Sequence, residues 1–316
     1  MEQRSTVAWV FPGQGSQVVG MGKDLAASYP AAREVFQQAD DLLGFQFSAL
    51  CFDGPQRDLD ETINTQPALY VCGIATLWAL QSELPELMPV CTAGHSLGEF
   101  TALTAAGALT FEDGLRLVRE RGRLMKEAGE RAPGGMAALL GLEIEAAQAI
   151  CQTAAQQTGT AVVVANDNCP GQVVISGEAG ALERAMTLAK EAGAKRTIRL
   201  AVSIAAHSPL MEAASAEFQA RVAGVPLTSP LIPVYGNVEA APLLSVEAIR
   251  SELNRQLTQT VCWSGSVRAM RAAGVTHFLE LGPGDVLTGL LKRIDRDAQG
   301  TALNSAAALE KLAAAL

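Results

Sequence analysis

The sequence predicts an α/β fold, in which a large domain built on a parallel sheet carries a smaller inserted unit of ferredoxin-like strand order. Three observations support this prediction. Strand-length apolar runs alternate with helix-length stretches in both outer parts of the chain. The middle part instead follows the order strand, helix, strand, strand, helix, strand. A length of 316 residues is enough for one large domain with an insert.

The outer parts of the chain alternate between strands and helices, which is typical of a parallel sheet. The first strand is Val7–Phe11, and a glycine-rich loop follows over 13–17. Before the insert we also expect an apolar helix over 68–81, a strand over 90–93, and helices over 99–109 and 112–128. After it we expect strands over 233–236 and 276–281, a helix over 286–294 and a helical tail over 302–316.

The insert is predicted at 130–203, because this stretch has the ferredoxin-like order and is long enough for its own small core. Its predicted elements are a strand over 136–140, a helix over 144–157, strands over 161–165 and 172–176 joined by a loop over 166–171, a helix over 181–192 and a strand over 196–200. The large domain then comprises 1–129 and 204–316, and the sequence Pro-Gly-Gly at 133–135 forms the entry hinge.

Composition and charge narrow the class of function. A net charge of −9 argues against a general nucleic-acid-binding surface. No apolar stretch reaches about 18 residues, and the first apolar run is too short for a signal peptide, so we expect no membrane span and a cytoplasmic protein. The six cysteines are scattered and do not lie at metal-ligand spacing, so we expect reduced thiols and no metal site.

The most informative motif is the sequence Gly-His-Ser-Leu-Gly at 94–98. It follows an apolar run and precedes a helix-prone stretch, as in a G-x-S-x-G nucleophile elbow. The glycines lack a Cβ, so the backbones of strand and helix can pass close together. The N–H groups at the start of the helix can stabilise an oxyanion. The motif therefore predicts Ser96 as a nucleophile.

A serine needs a base, and the chain has three histidines. His95 adjoins Ser96 and should point to the other side of the chain, so a packing or turn role is expected. His277 lies within an apolar run and is expected to be structural. His207 precedes Ser-Pro at a strand-to-helix junction, where catalytic residues collect. We therefore predict His207 as the base.

The group that orients His207 stays open at this point. A carboxylate usually does so, and Asp285 and Glu280 are candidates by position. A backbone carbonyl or a neutral amide could do the same. Without a carboxylate the imidazolium is stabilised less, which is tolerable when the leaving group is a thiolate.

Several separated motifs together resemble one family. They are Phe-Pro-Gly-Gln-Gly-Ser-Gln at 11–17, Gln-Pro-Ala at 66–68, Gly-His-Ser-Leu-Gly-Glu at 94–99, Arg-Gly at 121–122 with Met125, Asn166 with Pro-Gly-Gln-Val-Val at 170–174, His-Ser-Pro-Leu-Met at 207–211 and Gly-Pro-Gly at 282–284. Over nearly its whole length the chain resembles the malonyl-CoA:acyl-carrier-protein transacylases of fatty acid synthesis and the acyltransferase domains of polyketide synthases. The resemblance implies a hydrolase-like large domain with a ferredoxin-like insert.

The resemblance also implies a mechanism, namely transfer of a malonyl group from malonyl-CoA to the pantetheine thiol of acyl carrier protein through a seryl ester. It implies Ser96 as nucleophile, His207 as base, and an oxyanion hole made by the backbone N–H groups of Leu97 and Gln14. His207 would be oriented by the main-chain carbonyl of Gln256. Gln66, Asn166 and Gln256 are also expected in the substrate-binding site, and no cofactor is implied beyond the two thioester substrates.

Arg121 is the specificity residue that the resemblance implies. An arginine presents a planar fork that binds the carboxylate of a malonyl group in a bidentate manner, so the site should discriminate against acetyl groups. The alternative is that Arg121 is one of several arginines on a solvated helix face. Before the base stands Ala206, where relatives often have phenylalanine or serine, so strict exclusion of branched malonyl groups is in doubt.

Carrier proteins are acidic, so docking to this acidic chain requires a local positive patch. Lys195 and Arg196, with Arg199, form the best candidate cluster, and a solvated sheet edge is the alternative. We expect a monomer. Rival functions are an acyl-thioester hydrolase, a malonyl transferase that serves malonate decarboxylase, a trans-acting polyketide synthase acyltransferase and a non-catalytic docking module.

Overall fold

The computed structural model describes residues 6–202 and 204–316. Its strands are β1 (Val7–Phe11), β2 (Cys91–Gly94), β3 (Gly134–Leu140), β4 (Val162–Cys169), β5 (Gln172–Glu178), β6 (Arg196–Arg199), β7 (Val234–Tyr235), β8 (Pro242–Leu243), β9 (His277–Leu281) and β10 (Gln299–Leu303). Its helices are α1 (Lys23–Ser28), α2 (Pro30–Leu43), α3 (Phe47–Asp53), α4 (Gln56–Leu59), α5 (Thr62–Glu83), α6 (Gly98–Ala105), α7 (Phe111–Arg131), α8 (Ile144–Thr158), α9 (Ala179–Glu191), α10 (Glu212–Gly224), α11 (Val246–Arg255), α12 (Trp263–Ala272), α13 (Val286–Ile294) and α14 (Ala306–Ala313).

The larger sheet is six-stranded, in the order β10-β9-β1-β2-β7-β8. All its pairs are parallel except β7 with β8. Successive residues of the central strand β1 face opposite sides, as the strand period requires: Trp9 packs into the core on one side, and Val10 into the core formed with α12 and α13 on the other. Helices therefore cover both faces of the sheet, and the predicted α/β class with a parallel-sheet large domain is confirmed.

The smaller sheet is antiparallel and four-stranded, in the order β4-β5-β3-β6. This is the strand order of the predicted ferredoxin-like insert. One face packs on α8 and α9, where Ala137 and Leu139 of β3 enter the core. The alternate residues Met136 and Ala138 point to the other face, which borders a cavity. All four strands lie within 130–203, but the boundaries themselves stay a prediction, and residues 1 and 203 lie outside the described residues.

The apolar helix predicted over 68–81 begins at Thr62, so it contains Pro67. Proline has no N–H to donate to the carbonyl four residues earlier, which is that of Ile63. Arg119 Nη1 donates to this carbonyl instead, at 2.7 Å. A side chain from the neighbouring α7 thus satisfies the carbonyl that Pro67 leaves without a donor, and the helix continues through the point where the sequence suggested its start.

Two predictions about local structure are wrong. The tail predicted as helical over 302–316 begins with the end of strand β10, and only Ala306–Ala313 is helical. Parallel pairing of β10 with β9 outweighs the helix propensity of the alanines. The loop predicted over 166–171 is shorter, because β4 continues to Cys169. Asn166 therefore lies on a strand, next to a break in the regular pairing with β5.

Within the described residues, no helix is long and apolar enough to cross a membrane, and no group of three or more potential ligand side chains could hold a metal ion. All six cysteines are free thiols, and five of them are buried.

Candidate active site

Ser96 lies at the turn between β2 and α6, and its φ of 50° is in the left-handed region. The predicted elbow is therefore present. A Cβ on Gly94 would lie 1.9 Å from the carbonyl carbon of Gly98, and a Cβ on Gly98 would lie 2.1 Å from the carbonyl oxygen of Phe11. Both glycines are required because the helix start, the strand end and β1 approach each other at backbone distance.

Asn237 stabilises this turn through two hydrogen bonds, and the sequence analysis did not identify it as a site residue. Its Oδ1 accepts a hydrogen bond from the N–H of Ser96 at 2.6 Å, and its Nδ2 donates to the carbonyl of Gly94 at 2.7 Å. Asn237 follows β7, which pairs with β2. The signal was available, because polar residues that follow neighbouring parallel strands meet at one edge of the sheet.

Ser96 and His207 are hydrogen-bonded, with 2.8 Å between Ser96 Oγ and His207 Nε2. On its other side, His207 Nδ1 lies 2.8 Å from the main-chain carbonyl oxygen of Gln256 and 3.1 Å from that of Gln259. Carbonyl oxygens only accept, so Nδ1 carries the proton and Nε2 offers its lone pair to the serine hydroxyl. The ring is thus held in the tautomer that a general base needs.

The carboxylate candidates for orienting His207 are wrong. Glu280 accepts hydrogen bonds from the N–H groups of Leu287 and Thr288, at 2.9 and 2.7 Å, and so caps the start of α13. Asp285 is the residue that precedes this helix and has no contact with His207 Nδ1 among the described residues. The alternative with a backbone carbonyl is the one that the structure contains.

Burial, and after it the positive charge of Arg121, lowers the pKa of His207 to about 3. The carbonyl of Gln256 acts against this shift by accepting the Nδ1 proton. The sign means that His207 is neutral at pH 7, so its Nε2 is available as a proton acceptor.

Arg121 is buried, with 1% of its surface exposed, and so does not lie on a solvated helix face. Its Nη2 donates to Ser96 Oγ at 3.1 Å, its Nη1 to Gln66 Oε1 at 2.9 Å, and its Nε to Gln256 Oε1 at 3.1 Å. The guanidinium carbon lies 5.7 Å from the ring centre of Phe100. Ser96 Oγ therefore donates to His207 while it accepts from Arg121.

The positive charge of Arg121 has no direct counter-ion, because no carboxylate within the described residues comes within 4.0 Å of its guanidinium. Burial lowers its pKa to about 10, and the nearby Glu99 acts against this shift. A buried cation that is held by neutral amides is costly unless an anion joins it. The position of Nη2 beside Ser96 makes the guanidinium a receptor for an anionic group on a molecule that reaches the serine.

A cavity of about 310 Å³ leads to Ser96 between the two sheets. The large domain contributes the loop after β1 and the elbow, and the small sheet contributes its open face. Ala206, beside the histidine, also lines it. A molecule that reaches Ser96 through this cavity therefore enters between the two sheets.

Asn166 lines this cavity beside His95. His95 Nε2 lies 2.8 Å from Asn168 Oδ1 and 3.4 Å from Asn166 Nδ2, so His95 has a structural role, as predicted, rather than a contact with Ser96. The Oδ1 atom of Asn166 is buried and accepts no hydrogen bond from the described residues. It is available to an N–H donor of a bound molecule.

The backbone N–H groups of Gln14 and Leu97 both belong to residues that line the cavity. Neither donates a hydrogen bond to an acceptor in the part of the chain that the structure describes. Gln14 Nε2 donates to Thr62 Oγ1 at 3.1 Å, which ties its loop to the start of α5. The two N–H groups stand where the oxyanion hole was expected.

Gln66 and Gln256 were expected to bind substrate, but they lie behind Arg121 and do not line the cavity. Gln256 has a larger role than the sequence indicated. Its main-chain carbonyl faces His207, its Oε1 accepts from Arg121, and its Nε2 donates to the carbonyl of Ser96 at 3.0 Å. His277 is remote from this group, with Nδ1 3.0 Å from Thr276 Oγ1.

Lys195 and Arg196 are exposed at the start of β6. Arg199, the third member of the predicted cluster, forms an ion pair with Glu183 instead. The chain that follows β6 runs along the cavity, where Leu200 and Val202 contribute to the wall. The two remaining cations therefore lie at the edge of the small sheet that leads to the cavity.

An elbow serine hydrogen-bonded to a histidine, in a sheet with helices on both faces, defines the class of serine-dependent α/β enzymes. Comparison with known proteins makes the class specific. The chain belongs to the acyl transferase domain family, whose model matches residues 8–311. It is therefore an acyltransferase.

Relatives and solved structures agree along nearly the whole chain. A curated malonyl CoA-acyl carrier protein transacylase of Salmonella typhimurium is 44% identical over 302 residues, which cover 96% of this chain and 97% of the relative. A malonyl-transacylase solved with the holo acyl-carrier protein of a type II PKS has a TM-score of 0.95 and 42% identity, covering 99% of this chain and 100% of its own. An acyl carrier protein S-malonyltransferase of Vibrio cholerae has a TM-score of 0.93 and 44% identity, with 98% and 100% coverage.

Proposed function

We propose that this enzyme transfers a malonyl group from malonyl-CoA to the pantetheine thiol of an acyl carrier protein, through an ester on Ser96. The observation that carries the proposal is the guanidinium of Arg121, which has no counter-ion among the described residues and whose Nη2 lies 3.1 Å from Ser96 Oγ. A malonyl thioester has a carboxylate one carbon away from the thioester carbonyl. The carboxylate of this group can therefore bind the guanidinium of Arg121 while its thioester carbonyl lies beside Ser96 Oγ.

In the first half of the proposed cycle, His207 Nε2 takes the proton of Ser96 while Oγ attacks the thioester carbonyl. The carbonyl oxygen becomes an oxyanion, which the N–H groups of Leu97 and Gln14 stabilise, each by an amount of about 3–4 kcal/mol. The C–S bond then breaks, and the departing thiolate of coenzyme A takes the proton from His207. The products are malonyl-Ser96 and neutral His207.

In the second half, the pantetheine thiol gives its proton to His207, and its sulfur attacks the seryl ester. The C–O bond breaks and Ser96 recovers the proton. Both thioesters have similar free energy, so the transfer is near equilibrium. Asn166 Oδ1, which has no donor among the described residues, is suited to accept an amide N–H of the pantetheine arm.

The experiment that tests this proposal separates transfer from hydrolysis. The enzyme is first malonylated with malonyl-CoA, freed of excess substrate, and then mixed with holo acyl carrier protein, with apo carrier protein as the control. We expect holo carrier protein to gain the malonyl mass while apo protein does not. Release of free malonate as fast as, or faster than, transfer would instead support the acyl-thioester hydrolase.

The pKa of His207 predicts the acid limb of the pH profile. Because burial and Arg121 hold this pKa at about 3, acylation of Ser96 by acetyl-CoA should not decline through the ordinary histidine range, about pH 5.5–7.5. Acetyl-CoA is the suitable substrate since its acyl group does not titrate. Removing the positive charge with Arg121→Gln should move the limb to higher pH. The prediction would be contradicted if wild-type activity declined near the ordinary pKa of histidine and Arg121→Gln did not shift that decline.

Docking of the carrier protein is proposed at Lys195 and Arg196, because these exposed cations lie on the strand that leads to the cavity. Leu200 lies four residues beyond Arg196, or about 13 Å along an extended chain, which a pantetheine arm can span. Carrier proteins are acidic, and complementary charge favours their encounter.

Charge reversal tests this docking site. The double variant Lys195→Glu/Arg196→Glu should raise the KM for acyl carrier protein by about 5- to 30-fold, since each exposed charge pair is worth up to about 1 kcal/mol. Malonylation of Ser96 by malonyl-CoA should be unchanged, because no carrier protein takes part. Lys311→Glu on the exposed face of α14 is the matched control. An unchanged KM in the double variant would place docking elsewhere.

The pathway that receives the product belongs to the proposal as well. Transfer to a carrier protein of fatty acid synthesis is the first choice, and carriers of malonate decarboxylase or a polyketide synthase are alternatives that the holo-carrier assay can compare. We also propose that the enzyme works as a cytoplasmic monomer without a resident cofactor. Sedimentation with and without malonyl-CoA tests the monomer.

A further inference from the structure

Two buried carboxyl groups, those of Glu99 and Glu252, lie behind the elbow. Glu99 is 0% and Glu252 1% exposed. The two carboxyl groups are neighbours, because they accept from the adjacent N–H groups of Asn237 and Val238, at 3.0 and 2.6 Å. Gly236 makes room for this arrangement, because a Cβ there would lie 2.9 Å from the carboxyl carbon of Glu252. Neither residue touches the cavity, and the mechanism above does not use them.

The hydrogen bonds of Glu99 connect it to both sides of the active site. Its Oε1 accepts from the N–H of Asn237 at 3.0 Å, and Asn237 fastens Ser96. Its Oε2 accepts a short hydrogen bond from Gln256 Nε2. This bond and the one to the carbonyl of Ser96 together fix which way the Gln256 amide points, with Oε1 toward Arg121 Nε. Glu99 therefore supports the orientation of Arg121 by accepting at Oε2.

Glu252 has one satisfied and one unsatisfied oxygen. Its Oε1 accepts from the N–H of Val238 at 2.6 Å. Its Oε2 is buried and has no hydrogen-bond donor within residues 6–202 and 204–316. The nearest cation is Arg255, whose Nη2 is 4.0 Å away and also pairs with Glu239 through Nη1. Burying an acceptor without a donor is unfavourable, so a proton between the two carboxyl groups is the expected donor.

We propose that Glu99 and Glu252 share one proton, and that Glu99 is a positioning residue which, by accepting from Gln256, sets Arg121 for the malonyl carboxylate. In this arrangement Glu99 Oε2 donates its proton to Glu252 and still accepts from Gln256 Nε2. The pair then has one negative charge rather than two. The inference rests on the proposed function, because it concerns the recognition of the malonyl group.

The electrostatic environment agrees with a retained proton. Burial raises the pKa of Glu99 well above its ordinary value, and the neighbouring charge of Glu252 raises it further. Burial also raises the pKa of Glu252, while the N–H groups of Val238 and Asn237 lower it. Of the two, Glu99 therefore holds the proton and Glu252 the charge.

Two amide variants, one at each carboxyl group, test where the shared proton lies. Neither changes the shape of the side chain or the net charge of the pair. In Glu252→Gln, the new amide can donate to Glu99 Oε2 in place of the proton, and every other bond of the pair remains. In Glu99→Gln, an amide nitrogen that donates to Glu252 also faces the donor Gln256 Nε2, and the reversed amide faces the donor N–H of Asn237. One bond is therefore lost in either orientation. We expect the first orientation, because it gives the charged Glu252 a donor; Gln256 Nε2 then loses Glu99 as an acceptor and keeps its bond to the carbonyl of Ser96.

The test measures acylation of Ser96 by malonyl-CoA and by acetyl-CoA in both variants, with Glu86→Gln on the surface as the control. We expect Glu99→Gln to lower kcat/KM for malonyl-CoA by about 10- to 100-fold and to affect acetyl-CoA much less, because only the malonyl group has a carboxylate for Arg121 to bind. Glu252→Gln should lower malonylation less than about threefold. Equal losses for both esters, or equal losses in both variants, would overturn the positioning role.

Infrared difference spectra test the shared proton independently of activity. Wild type minus either variant at pH 7 should contain the C=O stretch of a protonated carboxylic acid, because each variant leaves one amide and one carboxylate. Wild type minus Glu86→Gln should lack it. Absence of the band from both difference spectra would overturn the shared proton even if malonyl transfer is confirmed. Conversely, failure of Ser96 to accept malonyl would leave the band in place.

Discussion

Replacing Ser96 by alanine is expected to abolish the malonyl adduct and to lower malonyl transfer by about 10⁴-fold or more. The variant removes the oxygen that lies 2.8 Å from His207 Nε2 and 3.1 Å from Arg121 Nη2, so both groups lose their common partner. The turn should persist, because Asn237 holds the N–H of residue 96 and alanine is no more strained than serine at a φ of 50°. Intact-protein mass spectrometry after incubation with malonyl-CoA measures the adduct.

Ser82→Ala is the control for this experiment, since Ser82 lies near the end of α5 and its hydroxyl donates to the carbonyl of Ala79. It should give the wild-type adduct. A malonyl mass that survives in Ser96→Ala would show that another side chain accepts the acyl group. Thermal unfolding of both variants establishes that a lost adduct does not reflect a lost fold.

Local sequence was enough to predict the elbow, and the reason is steric. A Cβ on Gly94 or Gly98 would lie 1.9 or 2.1 Å from neighbouring backbone atoms, so no other residue fits at either position. The motif that marks the turn is therefore visible in adjacent residues of the sequence. The ferredoxin-like order could also be predicted from the sequence, because the apolar residues of each strand and helix recur with the period of that element. The strand β10 was not predicted, because the tail predicted as helical is rich in alanine, which favours a helix, whereas parallel pairing with β9 makes its start part of a strand.

The site was predictable only in part, for a related reason. Ser96 and His207 are 111 positions apart, yet the chain offers few histidines, so elimination could connect them. The side chain of Gln256 and the carboxyl pair Glu99–Glu252 gave no such signal. Their roles arise from contacts over more than 130 positions, such as that between Gln256 Nε2 and the carbonyl of Ser96, and glutamine and glutamate are common everywhere. These polar groups point to a function because they are buried, and their burial cannot be read from the sequence.

Replacing Arg121 by alanine is expected to reverse the preference between malonyl-CoA and acetyl-CoA. Loss of a buried charged partner costs about 2–5 kcal/mol, so kcat/KM for malonyl-CoA should fall by about 30- to 5,000-fold. Acetyl-CoA has no carboxylate and leaves the guanidinium without an anion in the wild type, so its acylation rate should change far less. Rates of Ser96 acylation by each ester, followed by mass spectrometry, measure the ratio.

The controls distinguish recognition of the carboxylate from support of the serine, because Arg121 Nη2 also donates to Ser96 Oγ in the free enzyme. If that donation were the main role, both esters would suffer equally, and this outcome would contradict the specificity assignment. Arg121→Lys keeps the charge but lacks the fork that also bonds Gln66 and Gln256, so an intermediate ratio is expected. Arg116→Ala on the exposed face of the same helix should leave the ratio as it is. The ratio, rather than either rate alone, is therefore the quantity that connects the unpaired guanidinium to the chemistry of the acyl group.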